Sequence, residues 1–169
     1  MKNLNGISDP IEKAKIFRKQ NKFEEALQIL DEIYLNTPNS NEILTILIET
    51  LFDYGGYLND YYTLEYEKAK EVFKRIITLS PNSYRAHYNL GLAFFNLNQF
   101  QEAKNSFKKA LSIKPDYKYC FYNLGLIYET NEKYKQALHY YEKALKIDPN
   151  FIYALTARSE IRKKLDEMK

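Results

Sequence analysis

From Pro10 onward, apolar residues recur three and four positions apart with polar residues between them, the period of an amphipathic helix rather than a strand. Ser8-Asp9-Pro10 reads as a helix start, a capping side chain followed by Pro in a first turn where its missing N–H costs nothing. Ile11, Ala14 and Phe17 carry this helix to about Asn21. Phe23, Ala26, Leu27, Leu30, Ile33 and Tyr34 carry the next, which Asn36-Thr37-Pro38 stops. A third helix is predicted over Ile43 to Phe52, and a fourth carries Ala69, Phe73 and Ile76 before Pro81. Between them stands a segment crowded with Tyr54, Tyr57, Leu58, Tyr61 and Tyr62, in which Gly55-Gly56 is expected to end or sharply bend a helix. The six residues before Ile7 are polar with a Gly and are expected to be disordered.

From Tyr84 the pattern becomes regular. Leu90, Gly91, Phe94, Ala103, Phe107, Ala110 and Pro115 recur 34 residues later as Leu124, Gly125, Tyr128, Ala137, Tyr141, Ala144 and Pro149. Seven positions matched at one fixed displacement mark a solenoid built from repeated helical hairpins. Leu-Gly, aromatic, Ala, aromatic, Ala, Pro in that order resembles the tetratricopeptide repeat, a helix–turn–helix unit of this length. The resemblance extends to a degenerate first repeat over 7–40, which keeps Ala14, Phe17, Ala26, Leu30, Ile33 and Pro38 but has Pro10 and Lys13 where large apolar residues belong. A second repeat over 41–83 is nine residues longer than the period. The surplus is placed near 54–62, with Ile48 standing where the small residue belongs. Repeats 84–117 and 118–151 follow, with Asp116 and Asn150 as candidate caps for the next helix. A polar-faced capping helix over 152–169 carries Ala154, Leu155, Ile161 and Leu165 on one side. The expected fold is all-α, a right-handed superhelix of four hairpins and a capping helix, nine helices in all, forming a single domain.

Within this frame Gly91 and Gly125 let crossing helices approach beside Ala103 and Ala137, the aromatics fill the layers, and the prolines end second helices. These residues build the scaffold. The resemblance further implies a concave groove lined by first helices at the second, fifth, ninth, twelfth and thirteenth places of each unit. Those places hold Arg85, Tyr88, Leu92, Phe95 and Asn96 in the third repeat. In the fourth they hold Tyr119, Tyr122, Leu126, Glu129 and Thr130, with Tyr153 and Thr156 beyond. The second repeat supplies Glu42, Thr45, Glu49, Phe52 and Asp53, and the first Ile11, Lys15, Arg18 and Lys19. A Tyr/Leu/Phe centre with an acidic neighbour and a basic far end is expected. Exposed apolar side chains gathered on one face are a binding signature.

The expected function is a non-enzymatic adaptor or co-chaperone-like module that holds a partly hydrophobic peptide. Apolar anchors would enter between Tyr88, Leu92, Phe95, Tyr122 and Leu126, while Arg85 and Asn123 hold the peptide backbone and Asn89 is counted among the groove residues. The family's clamp for the terminal carboxylate of heat-shock chaperones needs paired Lys and Asn at the fifth and ninth places. Tyr88 with Leu92, and Tyr122 with Leu126, lack that donor set. An alternative role is a structural scaffold that self-assembles through the Tyr-rich segment, with Tyr54, Tyr57, Tyr61 and Tyr62 as a second contact surface, or through exposed end repeats, giving a homo-oligomer.

Composition narrows the alternatives. The 169 residues carry a net charge of +3, with both signs mixed along every helix, so no nucleic-acid stripe is expected. A single cysteine, Cys120, excludes an internal disulfide and suits a reducing compartment. No apolar run is long enough for a membrane span and no signal core opens the chain, so a cytoplasmic protein is expected. His87 and His139, the two histidines, are separated, and with one Cys they form no zinc set. His87 takes a packing place and is expected to be partly buried. No phosphate-binding Gly loop or nucleophile motif appears, so neither catalysis nor a cofactor or metal is expected.

Overall fold

The computed structural model describes residues 9–60 and 62–168, and among them the chain forms nine α-helices and no strand. The Met1–Gly6 expectation and the contact residue Tyr61 lie outside the described residues. The fold is an all-α helical-repeat solenoid whose helices fall into two units, Met1–Pro81 and Asn82–Lys169. The first unit holds α1 (Pro10–Lys19), α2 (Phe23–Asn36), α3 (Asn41–Leu58) and α4 (Tyr66–Leu79). The second holds α5 (Tyr84–Asn96), α6 (Phe100–Ile113), α7 (Lys118–Thr130), α8 (Tyr134–Ile147) and α9 (Ile152–Glu167).

The helix ends follow from local chemistry. Asp9 accepts the Ile11 N–H at 2.9 Å, and Pro10 opens α1. Ser40 and Ser83 accept the Ile43 and Ala86 N–H groups at 3.3 Å, opening α3 and α5. Each second helix, α2, α4, α6 and α8, stops two residues before a proline: Pro38, Pro81, Pro115 and Pro149. The turn inside every hairpin holds one residue in the left-handed region: Asn21, Leu64, Asn98 or Glu132, with φ of 58°, 55°, 58° and 56°. Each stands two residues before its second helix.

A single contact recurs at the core of three hairpins. A Cβ on Gly91 would lie 2.5 Å from the Phe107 ring, one on Gly125 2.4 Å from Tyr141, and one on Gly55 2.7 Å from Phe73. All three rings are fully buried. Gly55 therefore holds the place that the sequence pattern assigns to Ile48, and two expectations change with it. The Gly55-Gly56 pair neither ends nor breaks a helix, because α3 continues to Leu58. Nor does the surplus of the second repeat lie mainly at 54–62. Fourteen residues separate the start of α3 from Gly55, against seven from Tyr84 to Gly91, and 18 separate Gly55 from Phe73, against 16 from Gly91 to Phe107. Seven of the nine extra residues thus lengthen the start of α3 by about two turns, where Ile43, Ile46 and Leu47 are buried.

The turn accounts for the remaining two. The residue after the left-handed position sends its N–H back five residues in the regular hairpins, Lys22 to Phe17, Gln99 to Phe94 and Lys133 to Tyr128. In the second hairpin Glu65 reaches back seven, to Leu58. Leu58 thereby takes the place of Phe94 and Tyr128, and it is fully buried. The groove places of this repeat move as well. Glu49 and Phe52 become second and fifth, Gly56 ninth, and Glu42 and Thr45 fall on the extension.

Candidate functional site

The second unit gathers most of its aromatic residues into one connected set. Starting on α5, Tyr84 meets Tyr117 edge-on at 5.1 Å between ring centroids, and Tyr117 meets Tyr119 at 5.3 Å. Tyr119 meets Phe151 at 5.3 Å and Phe151 meets Tyr153 at 5.7 Å. Behind this file, Tyr88 stands edge-on to Tyr117 at 5.1 Å, and Tyr122 lies 5.5 Å from Phe151 and 6.0 Å from Tyr153. The rings stand mostly steeply to one another, the geometry favoured by the aromatic quadrupole.

The local reason lies at one backbone position. Ser40 and Ser83 occupy the residue before a first helix and cap it; Tyr117 and Phe151 occupy the same position before α7 and α9, with no side-chain cap. Asp116 and Asn150, expected to cap these helices, stand one residue too early and do not. A missing cap costs about 0.5–2 kcal/mol. The rings placed there recover packing against Tyr84, Tyr88, Tyr119 and Tyr122.

The candidate groove residues take distinct places. Tyr119 and Tyr153 are exposed, by 39% and 65%, and Arg85 is exposed on the same helix as Tyr88. Tyr88 and Tyr122 are half-buried, resting on the buried rings of Phe107 and Tyr141 at 5.8 Å each. Leu92 and Phe95 pack against the cluster that includes Ala103, Phe107 and Leu124, and Leu126 packs against Ala137 and Ile161. Asn89 is half-buried. Asn123 is only 7% exposed, and its amide N–H groups donate to the Tyr119 carbonyl at 2.8 Å and the Tyr88 phenol at 3.3 Å. Its donors are therefore engaged inside the fold. Tyr88, Tyr119, Tyr122, Asn123 and Tyr153 thus come together, while Leu92, Phe95 and Leu126 serve mainly the packing beneath. Tyr84, Tyr117 and Phe151 belong to the same face and were missed by the periodic reading. Their signal was the replacement of Ser by an aromatic residue ahead of two first helices.

Electrostatics keeps this face neutral but polar. Burial pushes the Tyr88 phenol well above its usual range and that of Tyr117 up to about 12, and it raises Tyr122 as well. These hydroxyls stay protonated near neutrality and offer hydrogen bonds, not charge. Two lysines lie over the rings. Lys118 sits 4.8 Å from the Phe151 centroid and pairs with Asp148, and Lys114 sits 5.0 Å from that of Tyr84. Cys120 is fully buried, and burial pushes its thiol up to about 12.

The first unit treats its own face differently. Arg18, from the expected basic end, donates to Glu49 at 2.8 Å and Asp53 at 2.6 Å. Arg18 of the basic end foreseen from sequence is thus tied to two carboxylates of the acidic neighbour. In the proposed second surface, Tyr54 stacks on Phe23 at 5.4 Å and donates to Glu24 at 2.6 Å, which makes it part of the fold. Tyr57 and Tyr62 are 48% and 91% exposed. His87 is 9% exposed, as its packing place implied. Among the described residues no group of three or more His, Cys, Asp or Glu could hold a metal ion, and no helix is long and apolar enough to cross a membrane.

Known proteins agree with this architecture. Residues 84–117 and 119–151 match the family model of the tetratricopeptide repeat. No curated protein matches the chain in sequence. Among solved structures, MamA is similar at 26% identity, covering 90% of this chain and 84% of its own, with a TM-score of 0.69. YrrB, described as a tetratricopeptide-repeat protein with an unusual peptide-binding site, is similar at 21% identity over 89% of this chain and 90% of its own, with a TM-score of 0.62. The second such domain of human RPAP3, solved with the HSP70 peptide SGPTIEEVD, is similar at 22% identity over 66% of this chain and 92% of its own, with a TM-score of 0.60. The last two likenesses speak for the fold alone. The same small-residue crossing in three hairpins, the recurring turn and the two matched segments lead to one assignment: residues 84–117 and 119–151 are tetratricopeptide repeats, within a chain whose fold is similar to solved proteins of that repeat class.

Proposed function

We propose that this protein is a non-enzymatic adaptor that holds a peptide segment of a protein partner against the aromatic face of α5, α7 and α9. The observation that carries this reading is the exposure of Tyr119 and Tyr153 above a packed aromatic layer. Tyrosines on a rigid base are good anchors because they supply large amphipathic area at little entropy cost. Arg85 adds a cation near Tyr117, and the phenols supply donors for peptide carbonyls. Peptide binding by the similar RPAP3 domain and YrrB supports the same use of the fold. A single segment on so small a face would bind at about micromolar strength.

The test is selection of peptides from a random displayed library on the purified chain, with titration of the enriched peptides by fluorescence anisotropy. The double variant Tyr119→Ala/Tyr153→Ala, matched in helicity by circular dichroism, should lose about tenfold or more in affinity, as expected for two aromatic anchors. Undiminished binding to that variant, or no enrichment at all, overturns the reading. The alternative, self-association, is favoured only by the exposure of Tyr57 and Tyr62, and light scattering of a Tyr57→Ser/Tyr62→Ser variant examines it.

A further inference from the structure

Lys114 lies between α6 and α7, its ammonium 5.0 Å from the Tyr84 ring centroid and 6.0 Å from that of Tyr117. Among the described residues no carboxylate stands within ion-pairing distance of it, whereas the neighbouring Lys118 is tied to Asp148. A cation held over two rings without an acidic partner is arranged for a negative group that arrives with a ligand. From Lys114 the rings run in single file, Tyr84, Tyr117, Tyr119, Phe151 and Tyr153, in steps of 5.1 to 5.7 Å, with Tyr119 and Tyr153 exposed and Phe151 buried between them.

That spacing suits an extended chain. A polyproline II segment advances about 3.1 Å per residue with three residues per turn, so every third residue faces the same way about 9 Å further on, within the two ring steps that lead from exposed Tyr119 over buried Phe151 to exposed Tyr153. Such a segment leaves its carbonyls free to accept hydrogen bonds, which the exposed phenol hydroxyls of Tyr119 and Tyr153 can donate. A helix of similar spacing has those carbonyls already satisfied. Proline also suits a shallow aromatic strip, since its flat ring lies on aromatic faces and its backbone is ordered before binding.

We propose that the bound segment is an extended, proline-bearing stretch with an acidic side chain, its prolines on Tyr119 and Tyr153 and its carboxylate on Lys114. This rests on the peptide-binding reading above and specifies its ligand. The probe is a set of fluorescein-labelled decapeptides with proline at every third position among alanines, so that the prolines share one face, and with one glutamate moved along the chain. Matched versions carry glutamine instead, an amidated C-terminus, or a helix-forming sequence of equal charge. The best glutamate probe should bind the full chain with micromolar affinity. Lys114→Ala should weaken it about three- to tenfold while leaving the glutamine probe unchanged, Lys114→Arg should restore it, and amidation should have no effect.

Equal losses for both probes would overturn the proposal, as would dependence on a free C-terminus or preference for the helical probe. If library-selected peptides need Tyr119 and Tyr153 but proline probes do not bind, this inference fails while the proposed function stands. Failure of both libraries and probes would sink the two together.

Discussion

The two units solve the same packing problem and then spend their surfaces differently. In the second unit, Gly91 and Gly125 receive Phe107 and Tyr141 in hairpins of identical length. In the first, Gly55 receives Phe73 in the same manner although the helix before it is two turns longer and its turn two residues wider. The crossing is thus conserved in geometry while the spacing around it varies. Small residue against ring is the fixed requirement; helix length and turn length adjust to it. The faces then diverge, since the first unit ties Arg18 to Glu49 and Asp53, and the second leaves Tyr119 and Tyr153 exposed above a packed file of rings.

The comparison is broken most forcefully at the glycines. Gly125→Ala and Gly55→Ala should each destabilise by about 1–3 kcal/mol in denaturant unfolding, because a Cβ within 2.7 Å of a buried ring overpacks the crossing by more than the roughly 1 kcal/mol that Ala gains in helix propensity. If Gly55→Ala proves neutral, the equivalence of the two units at this position is wrong. Next in size, Asn123→Ala should cost about 1–2 kcal/mol, since it strips donors from the Tyr88 phenol in a buried setting. Arg18→Ala should cost less than about 1 kcal/mol, as its carboxylate partners are half exposed, and added salt should shrink the difference. Smallest, and opposite in sign, Gly56→Ala should stabilise by about 0.5–1 kcal/mol: Gly56 lies inside α3 with nothing within 4 Å of an added Cβ.

The pH response offers a further contrast. Lys118, chiefly through its hydrogen bond, holds the Asp148 carboxyl below its usual range. A carboxyl depressed in the folded state adds stability that is present above its unfolded value and lost as pH falls through the folded one. Melting temperature should therefore fall on acidification below about pH 4, and Asp148→Asn should flatten part of that fall. Toward alkaline pH the buried Cys120 thiol remains protonated to about pH 12, so a disulfide-exchange reagent at pH 8 should label it only after unfolding.

Much of this molecule was legible in its sequence because its hairpins are held by local periodicity. The 34-residue displacement, the proline after each second helix, and Gly91 and Gly125 against Phe107 and Tyr141 all show in the order of residue types. The second hairpin was misread for a physical reason. Aligning on helix starts puts Ile48 at the crossing, and a glycine pair ordinarily signals a helix end. Which small residue meets the ring depends on the contact with Phe73, fourteen residues into α3, and no local pattern reveals that an extra two turns precede it.

The sequence by itself determined the fold class, the number of hairpins and the presence of tyrosines at the groove places, since helical period and turn residues act over a few positions. Tertiary structure alone decided which of those tyrosines stay exposed and which join the core. Tyr88 and Tyr122 sink toward Phe107 and Tyr141, Asn123 turns its amide inward, and Tyr54 joins Phe23, because burial depends on what the neighbouring helices bring. It also decided that Tyr117 and Phe151, placed where a cap would stand, extend the face from one repeat to the next. Capping is a contact within one turn, whereas a ring file exists only once successive repeats have packed.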